Sequence, residues 1–405
     1  MTVLHFVVDF VYPSPGGMQA AILRIAKQLD AKEGFRSILY TRRQQAQFRE
    51  RVSEHGDVEI VHLANRKERL MEPRGADDGS SEILPSEYLV HAYQVDIMLL
   101  QQEIEERQLR DSKSPTRHLL VSFYAPKAGF VAQVVALSLG LPHICSFRGS
   151  DYSVHLANPF LGGAVRFVAE RADLVLTTNE QQARVLSSVF PGTKTFQTIY
   201  NSVEFSNGIN EHVPPEAPPI RLFSDCEFSL KKATHVLMEA TAALHEEGLP
   251  ISLEIVGQSS NDEDEYWTKL KKGYSESHPG VFSFPGRISS TLIEQRLMRS
   301  HVYCSATLSE GCSHARIRAL LMGLPIVTTR CGALGEYAPK CSHISYARPG
   351  DLPDFVRQLR LMVNAVRSGS VAIDKNRVQS ARERFSADRE REDWEAAIET
   401  VLGAE

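Results

Sequence analysis

The sequence predicts an α/β protein made of two doubly wound domains, each a parallel sheet with helices on its faces. Three observations carry that reading. At 405 residues the chain is too long for one ordinary core and suits two domains of roughly 150 to 200 residues. Apolar, β-branched runs alternate with helix-spaced runs, which is the mark of parallel strands joined by crossover helices. The alternation stops after Asn201 and restarts at Ile220.

The first domain opens as strand, glycine turn and helix. Val3 to Val11 is apolar and β-branched, Pro13 to Gly17 (PSPGG) breaks it, and Ile22, Ile25, Ala26 and Leu29 then recur at helical spacing. Ser37 to Tyr40 reads as the next strand, and 42–86 is the least regular stretch. Strands follow at His118 to Phe123, His143 to Phe147 and Leu174 to Thr178, with helices at Gly129 to Leu139 and Leu161 to Arg171. Residues 204–219 are polar and proline-rich, as an inter-domain linker is. The second domain reads as strands at Ile220 to Ser224, Ile251 to Val256, Val281 to Phe284, Val302 to Ser305 and Pro325 to Thr329. Its helices are Thr234 to Glu246, Thr291 to Arg299 and Ser313 to Met322. The last segment, Ser386 to Leu402, is amphipathic, with Trp394, Ala397, Ile398 and Val401 on one face. Ligands of open parallel sheets sit beyond the carboxyl ends of the strands, so a cleft between two such domains is the expected site.

Composition excludes several functions. A formal net charge of −5, from 45 basic and 50 acidic residues, does not describe a nucleic-acid binder. The six cysteines are scattered with no zinc-type spacing, and read as reduced and structural. Asp9 within the opening strand argues against a signal peptide, and no apolar run approaches the ~18 residues of a membrane span, so a cytoplasmic protein is expected. Arg42, Arg43, Arg49 and Arg51, interleaved with Glu50 and Glu54, form either a solvated helix face or a basic patch for an anionic membrane surface. Trp267 reads as a packing residue.

The strongest local signal is Ser305 to Thr329, where a strand ends, Glu310-Gly311 follows, and a helix opens near Ser313. A helix N-terminus presents unpaired N–H groups and partial positive charge, so a phosphate can dock there. On these residues alone, Glu310 either accepts hydrogen bonds from sugar hydroxyls or merely sits by the helix dipole.

This stretch resembles the donor-site signature of family-4 retaining glycosyltransferases of the GT-B fold: Glu-x7-Glu, then Ala, Gly-x-Pro and a β-branched strand. Glu310, Gly311, Ala319, Gly323, Pro325, Ile326 and Val327 match it. Other landmarks keep the family's order: Gly16-Gly17, Ala172 to Leu176, Tyr200 to Val203, Lys232-Ala233, Ile255 to Gly257 and Phe284 to Arg287. The resemblance implies two Rossmann-like domains, 1–203 on the acceptor side and 220–385 on the donor side, with 386–405 crossing back to complete the first. It implies transfer of a sugar, hexosyl-like, from a nucleotide-sugar substrate with retention of configuration, and with neither metal nor cofactor. Lys232 and the amides at the helix start, Gly311, Cys312, Ser313 and His314, would then hold the diphosphate, and Glu310 the sugar.

Three departures mark this chain. Arg148, in Ser146 to Asp151, stands where the family often has a histidine at the reacting sugar; Asp151 and Tyr152 beside it either contact the acceptor or, for Asp151, cap the next turn. Cys226-Glu227 replaces the Gly-Arg that precedes the lysine. Arg318 replaces the second glutamate, which in the family grips the ribose. Either Glu227 pairs with Arg318 across the donor site, or Arg318 meets an anion on the ligand. The alternative functions are a non-catalytic GT-B partner subunit, a nucleotide-sugar epimerase or a phosphorylase.

Overall fold

In the computed structural model the described residues are 1–9, 17–42, 52–55, 58–63, 85–192, 196–206, 208, 212, 219–259 and 265–403. They divide into two units, Met1–Ile199 with Arg391–Glu405, and Tyr200–Glu390. Most of the expected linker, and Gly16, Arg43, Arg49 and Arg51, lie outside the described residues.

The first unit runs β1 (Thr2–Val8), α1 (Gly17–Asp30), β2 (Phe35–Thr41), β3 (Val52–His55), β4 (Val58–His62), α2 (Pro85–Asp111) and β5 (Arg117–Phe123). It continues with α3 (Phe130–Leu139), β6 (His143–Ser146), α4 (Gly162–Arg171), β7 (Leu174–Thr177), α5 (Glu180–Val189) and β8 (Phe196–Thr198). The strands form one sheet in the order β3-β4-β2-β1-β5-β6-β7-β8, parallel except where β3 meets β4. Strand alternation explains its two cores. Val3 and Val7 face one apolar cluster, while Leu4, Phe6 and Val8 face the other.

The second unit runs β9 (Ile220–Asp225), α6 (Thr234–Glu246), β10 (Ile251–Val256), α7 (Glu265–Ser277), β11 (Phe282–Gly286), α8 (Ser290–Met298) and β12 (Val302–Ser305). Next come α9 (His314–Leu321), β13 (Ile326–Thr329), α10 (Gly332–Tyr337), β14 (Ile344–Ala347), α11 (Leu352–Arg367) and α12 (Lys375–Arg384); the last helix, α13 (Ala387–Leu402), belongs to the first unit from Arg391 on. Its six strands are all parallel, in the order β11-β10-β9-β12-β13-β14. The winding direction reverses between β9 and β12, and such a switch point opens a crevice at the strands' carboxyl ends. The loops after β9 and β12 therefore mark the position for a ligand. The two-domain α/β expectation is borne out.

The apolar face of α13 buries Trp394, Ala397 and Ile398 in the first unit's core, where Trp394 packs 5.7 Å from the Phe123 ring. Trp267 is buried edge-on against Phe228 in the second unit. All six cysteines are free thiols, and Cys145, Cys304 and Cys341 are buried. No helix among the described residues is long and apolar enough to cross a membrane.

Arg42 corrects the reading of the basic cluster, because it is neither solvated nor available to a membrane. Its guanidinium is 4% exposed, bonds Asp9 at 2.5 Å and Asp96 at 2.7 Å, and lies over the Tyr93 ring. Burial alone would lower its pKa, but the two carboxylates outweigh that and raise it.

Candidate functional site

In the second unit the site grows from two loops held against each other. The first, Cys226 to Ala233, follows β9 and carries Lys232; the second, Ala306 to Ser313, follows β12 and carries Glu310. The Lys231 carbonyl accepts from Leu308 N (2.8 Å) and the Thr307 hydroxyl (3.2 Å), so the loops are joined through backbone. Lys232 is followed by Ala233, a non-glycine residue in the left-handed region (φ 49°, ψ 42°) at the start of α6. For alanine that conformation costs about 1 kcal/mol.

Lys232 Nζ forms an ion pair with Glu310 Oε1. Burial acts to lower the ammonium's pKa, but Glu310, with smaller help from Cys226 and Glu227, more than offsets it, so Lys232 is held charged above its ordinary value. Glu310 is fixed from behind. Ala333 N donates to Gly311 O at 2.9 Å, and Gly332 (φ 65°) lies so close that a Cβ there would be 2.5 Å from Gly311 O. Only glycine permits that approach. The chain that presses it there is held by Arg316, 1% exposed, whose Nη2 donates to the carbonyls of Thr329 (3.2 Å) and Cys331 (2.7 Å). Sequence analysis did not single out Arg316; a buried guanidinium clasping a loop leaves no local signal.

Arg318, one turn into α9, pairs with Asp225 and not with Glu227. Its Nη1 stands 3.6 Å from Asp225 Oδ2, with the two side chains 12% and 10% exposed. Glu227 lies beyond the strand end with its side chain exposed. Of the two partners weighed for Arg318, Glu227 is not the one it meets here: Asp225, the last residue of β9, reaches α9, and the turn residue does not. Burial pushes the Asp225 carboxyl up to about 6, against the lowering effects of Arg318, the Tyr303 hydroxyl and Lys232. Tyr303, buried on β12, is kept protonated far above its usual value by burial and by Asp225. Asp225 and Tyr303 were both missed; the position of an acid at a strand's carboxyl end was the available signal.

At the start of α9, Gly311, Cys312, Ser313 and His314 are all partly exposed. Ser313 is the N-cap residue but makes no side-chain cap, and the Cys312 thiol donates to Asn201 O at 3.7 Å.

An expected result follows from the Arg318–Asp225 pair. Arg318→Leu should destabilise the second unit by about 3 kcal/mol at pH 8, since it strands a buried carboxylate. Asp225→Leu in the same chain should restore most of the loss. The folded Asp225 takes up a proton as pH falls through about 6, so the single-variant penalty should shrink by pH 5. Urea unfolding at both pH values measures this; an equal penalty at both would exclude Asp225 as the partner.

In the first unit, Gly17 opens α1. Arg148 follows β6, with Nη1 donating to Ser146 Oγ (3.2 Å) and its guanidinium 5.5 Å from the Phe123 ring centre. Asp151, expected on the acceptor side, is instead fully buried. Its oxygens accept from Ala125 N and Arg148 N, both at 2.6 Å, so it pins the turns after β5 and β6. Burial raises its pKa, partly opposed by those amides. Tyr152 is partly buried against the same core. Two π-helical turns, Ala125–Gly129 and Asp151–His155, meet here, and Tyr124 (φ 76°) is strained at the end of β5, with its hydroxyl 2.5 Å from His155 Nε2. Strain of this kind collects at functional sites.

The family described as "Glycosyl transferase 4-like domain" matches residues 16–194, and "Glycosyl transferases group 1" matches 224–365. Among solved structures, sucrose-phosphate synthase from Thermosynechococcus elongatus aligns over 100% of both chains at 14% identity, TM-score 0.74. HepE of Anabaena, in complex with UDP and glucose, aligns over 99% of this chain and 100% of its own at 16% identity, TM-score 0.71. A glycosyltransferase from Rickettsia africae aligns over 100% and 99% at 11% identity, TM-score 0.65. At these identities the likeness establishes the fold. No curated protein sequence matches the chain.

Proposed function

Because the chain belongs to the family-4-like glycosyltransferases of the GT-B fold, we propose that it moves a sugar from a nucleoside-diphosphate sugar to a hydroxyl acceptor, with retention and without a metal ion. The observation that carries this reading is the pairing of a lysine and a glutamate at the switch point of the second sheet, beside the N-terminus of α9. A departing diphosphate needs fixed positive charge. Lys232 supplies a full charge, and the first-turn amides of α9 supply partial ones. A sugar ring needs acceptors for its hydroxyls, and the Glu310 carboxylate is one. Holding these groups in place before reaction means that no reorganisation is required when charge develops on the leaving group.

The acceptor is assigned to the first unit, around Arg148. Its guanidinium stays protonated at neutral pH, so it holds an anionic or hydroxyl-rich group and takes no proton. The solved relative HepE carries UDP and glucose, which supports a nucleotide-sugar donor here.

Incubation with UDP-, GDP- and ADP-sugars and a panel of hydroxyl acceptors, with nucleoside diphosphate release as readout, tests the reading. Lys232→Met should lower turnover at least ~100-fold while circular dichroism stays unchanged, as loss of one preorganised charge requires. Near-normal turnover in that variant, or diphosphate release that never depends on an acceptor or water, would overturn it.

A further inference from the structure

Lys232 Nζ and Glu310 Oε1 are paired to each other. The pair is not needed to join its two loops. Leu308 N and the Thr307 hydroxyl already bond the Lys231 carbonyl. The partners also differ in mobility. The backbone and Cβ of Glu310 are pressed against Gly332, the next residue is tied to Ala333, and the Glu310 side chain is only 11% exposed, so it is the more confined partner. Lys232, on a four-carbon stem and 26% exposed, can swing. A diphosphate that takes Lys232 must therefore draw it from Glu310 and leave that carboxylate in place near the phosphates.

We propose that Glu310 makes the site select the intact nucleotide sugar over the bare nucleoside diphosphate, and that re-forming the Lys232–Glu310 pair after transfer expels the product. This rests on the donor reading above. With a whole donor bound, sugar hydroxyls donate to Glu310 and its charge is satisfied. After the sugar has left, the same negative carboxylate stands near the diphosphate's negative charge, and Lys232 returns to it. Glu310 thus separates substrate from product by a repulsive element, which a site built only from cations lacks.

Calorimetry with UDP, GDP and ADP, each paired with UDP-glucose, GDP-mannose and ADP-glucose, tests the proposal on the pair that binds wild type most tightly. Glu310→Gln should bind the nucleoside diphosphate at least ~10-fold more tightly than wild type and gain no such factor for the nucleotide sugar. Glu310→Asp keeps the charge and shortens the arm, so its diphosphate affinity should stay within about twofold of wild type. Diphosphate affinity that is unchanged or weaker in Glu310→Gln overturns the proposal, as does equal tightening in the Gln and Asp variants. If Lys232→Met binds every ligand as wild type does, or if none binds wild type or Glu310→Gln, the donor reading itself has failed, which is a separate result.

Discussion

Gly332→Ala should lower kcat/KM at least ~100-fold while the chain remains folded, because displacing a reacting constellation by about 1 Å costs that much. The physical reason is backbone pressed on backbone. A Cβ at 332 would be 2.5 Å from Gly311 O, 2.8 Å from Glu310 O and 3.0 Å from Glu310 Cβ. None of these atoms is the free end of a flexible side chain. The loop carrying Glu310 must shift, and with it the start of α9. The position also has φ 65°, which adds about 1 kcal/mol of strain for alanine. Gly335→Ala is the control. Its nearest neighbour would be 3.5 Å away, an ordinary contact, and its activity should be close to wild type. Steady-state kinetics of both variants, with urea midpoints, decides the matter. Wild-type kcat/KM in Gly332→Ala would mean that the Glu310 loop does not depend on this contact.

The second large effect is on stability in acid. His143 is fully buried in the first unit, with Nδ1 2.8 Å from Gln133 Oε1 and Nε2 2.7 Å from Ser122 Oγ. Those partners suit a neutral ring with one donor and one acceptor. Burial lowers its pKa to about 3, with Asp173 pulling weakly the other way. The folded protein therefore keeps His143 neutral at pH 5, whereas the unfolded chain protonates it below about 6.5. Stability is thus present above 6.5 and is lost as pH falls toward 3. His143→Gln keeps a donor and an acceptor but does not titrate. Between pH 7 and pH 5, wild type should lose about 2 kcal/mol more than His143→Gln. Asp151, in the same unit, has a raised pKa and acts in the opposite sense, but it is common to both proteins and cancels in the difference. Urea unfolding at the two pH values gives the number; parallel losses would show that His143 is not held neutral.

Much of this protein was legible without coordinates, for reasons that are local. Strand and helix periods are written in consecutive side chains, so β1, β5, β9, β10 and β12 were readable, as was the apolar face of α13 around Trp394. Lys232 and Glu310 were readable because each follows a strand end in a recurrent motif, and such positions face the crevice whatever else the chain does. Where local pattern was weak, elements were missed. The strands β3 and β4 fall within the irregular stretch, and the polar helix α12 carries few apolar residues to set a period.

The sequence by itself determined the alternating α/β architecture, and its resemblance to a known family pointed to Lys232 and Glu310. Tertiary structure alone decided which charge meets which. Arg318 meets Asp225, 93 positions earlier, and Arg42 meets Asp96, 54 positions later. Asp151, a candidate for the acceptor side, is buried and holds two backbone amides, and Arg316 is buried to hold two carbonyls. A charge in a sequence states only that burial is costly for that residue. Whether the cost is met, and by which distant partner, depends on how the strands are ordered in the sheet, and no stretch of consecutive residues contains that order.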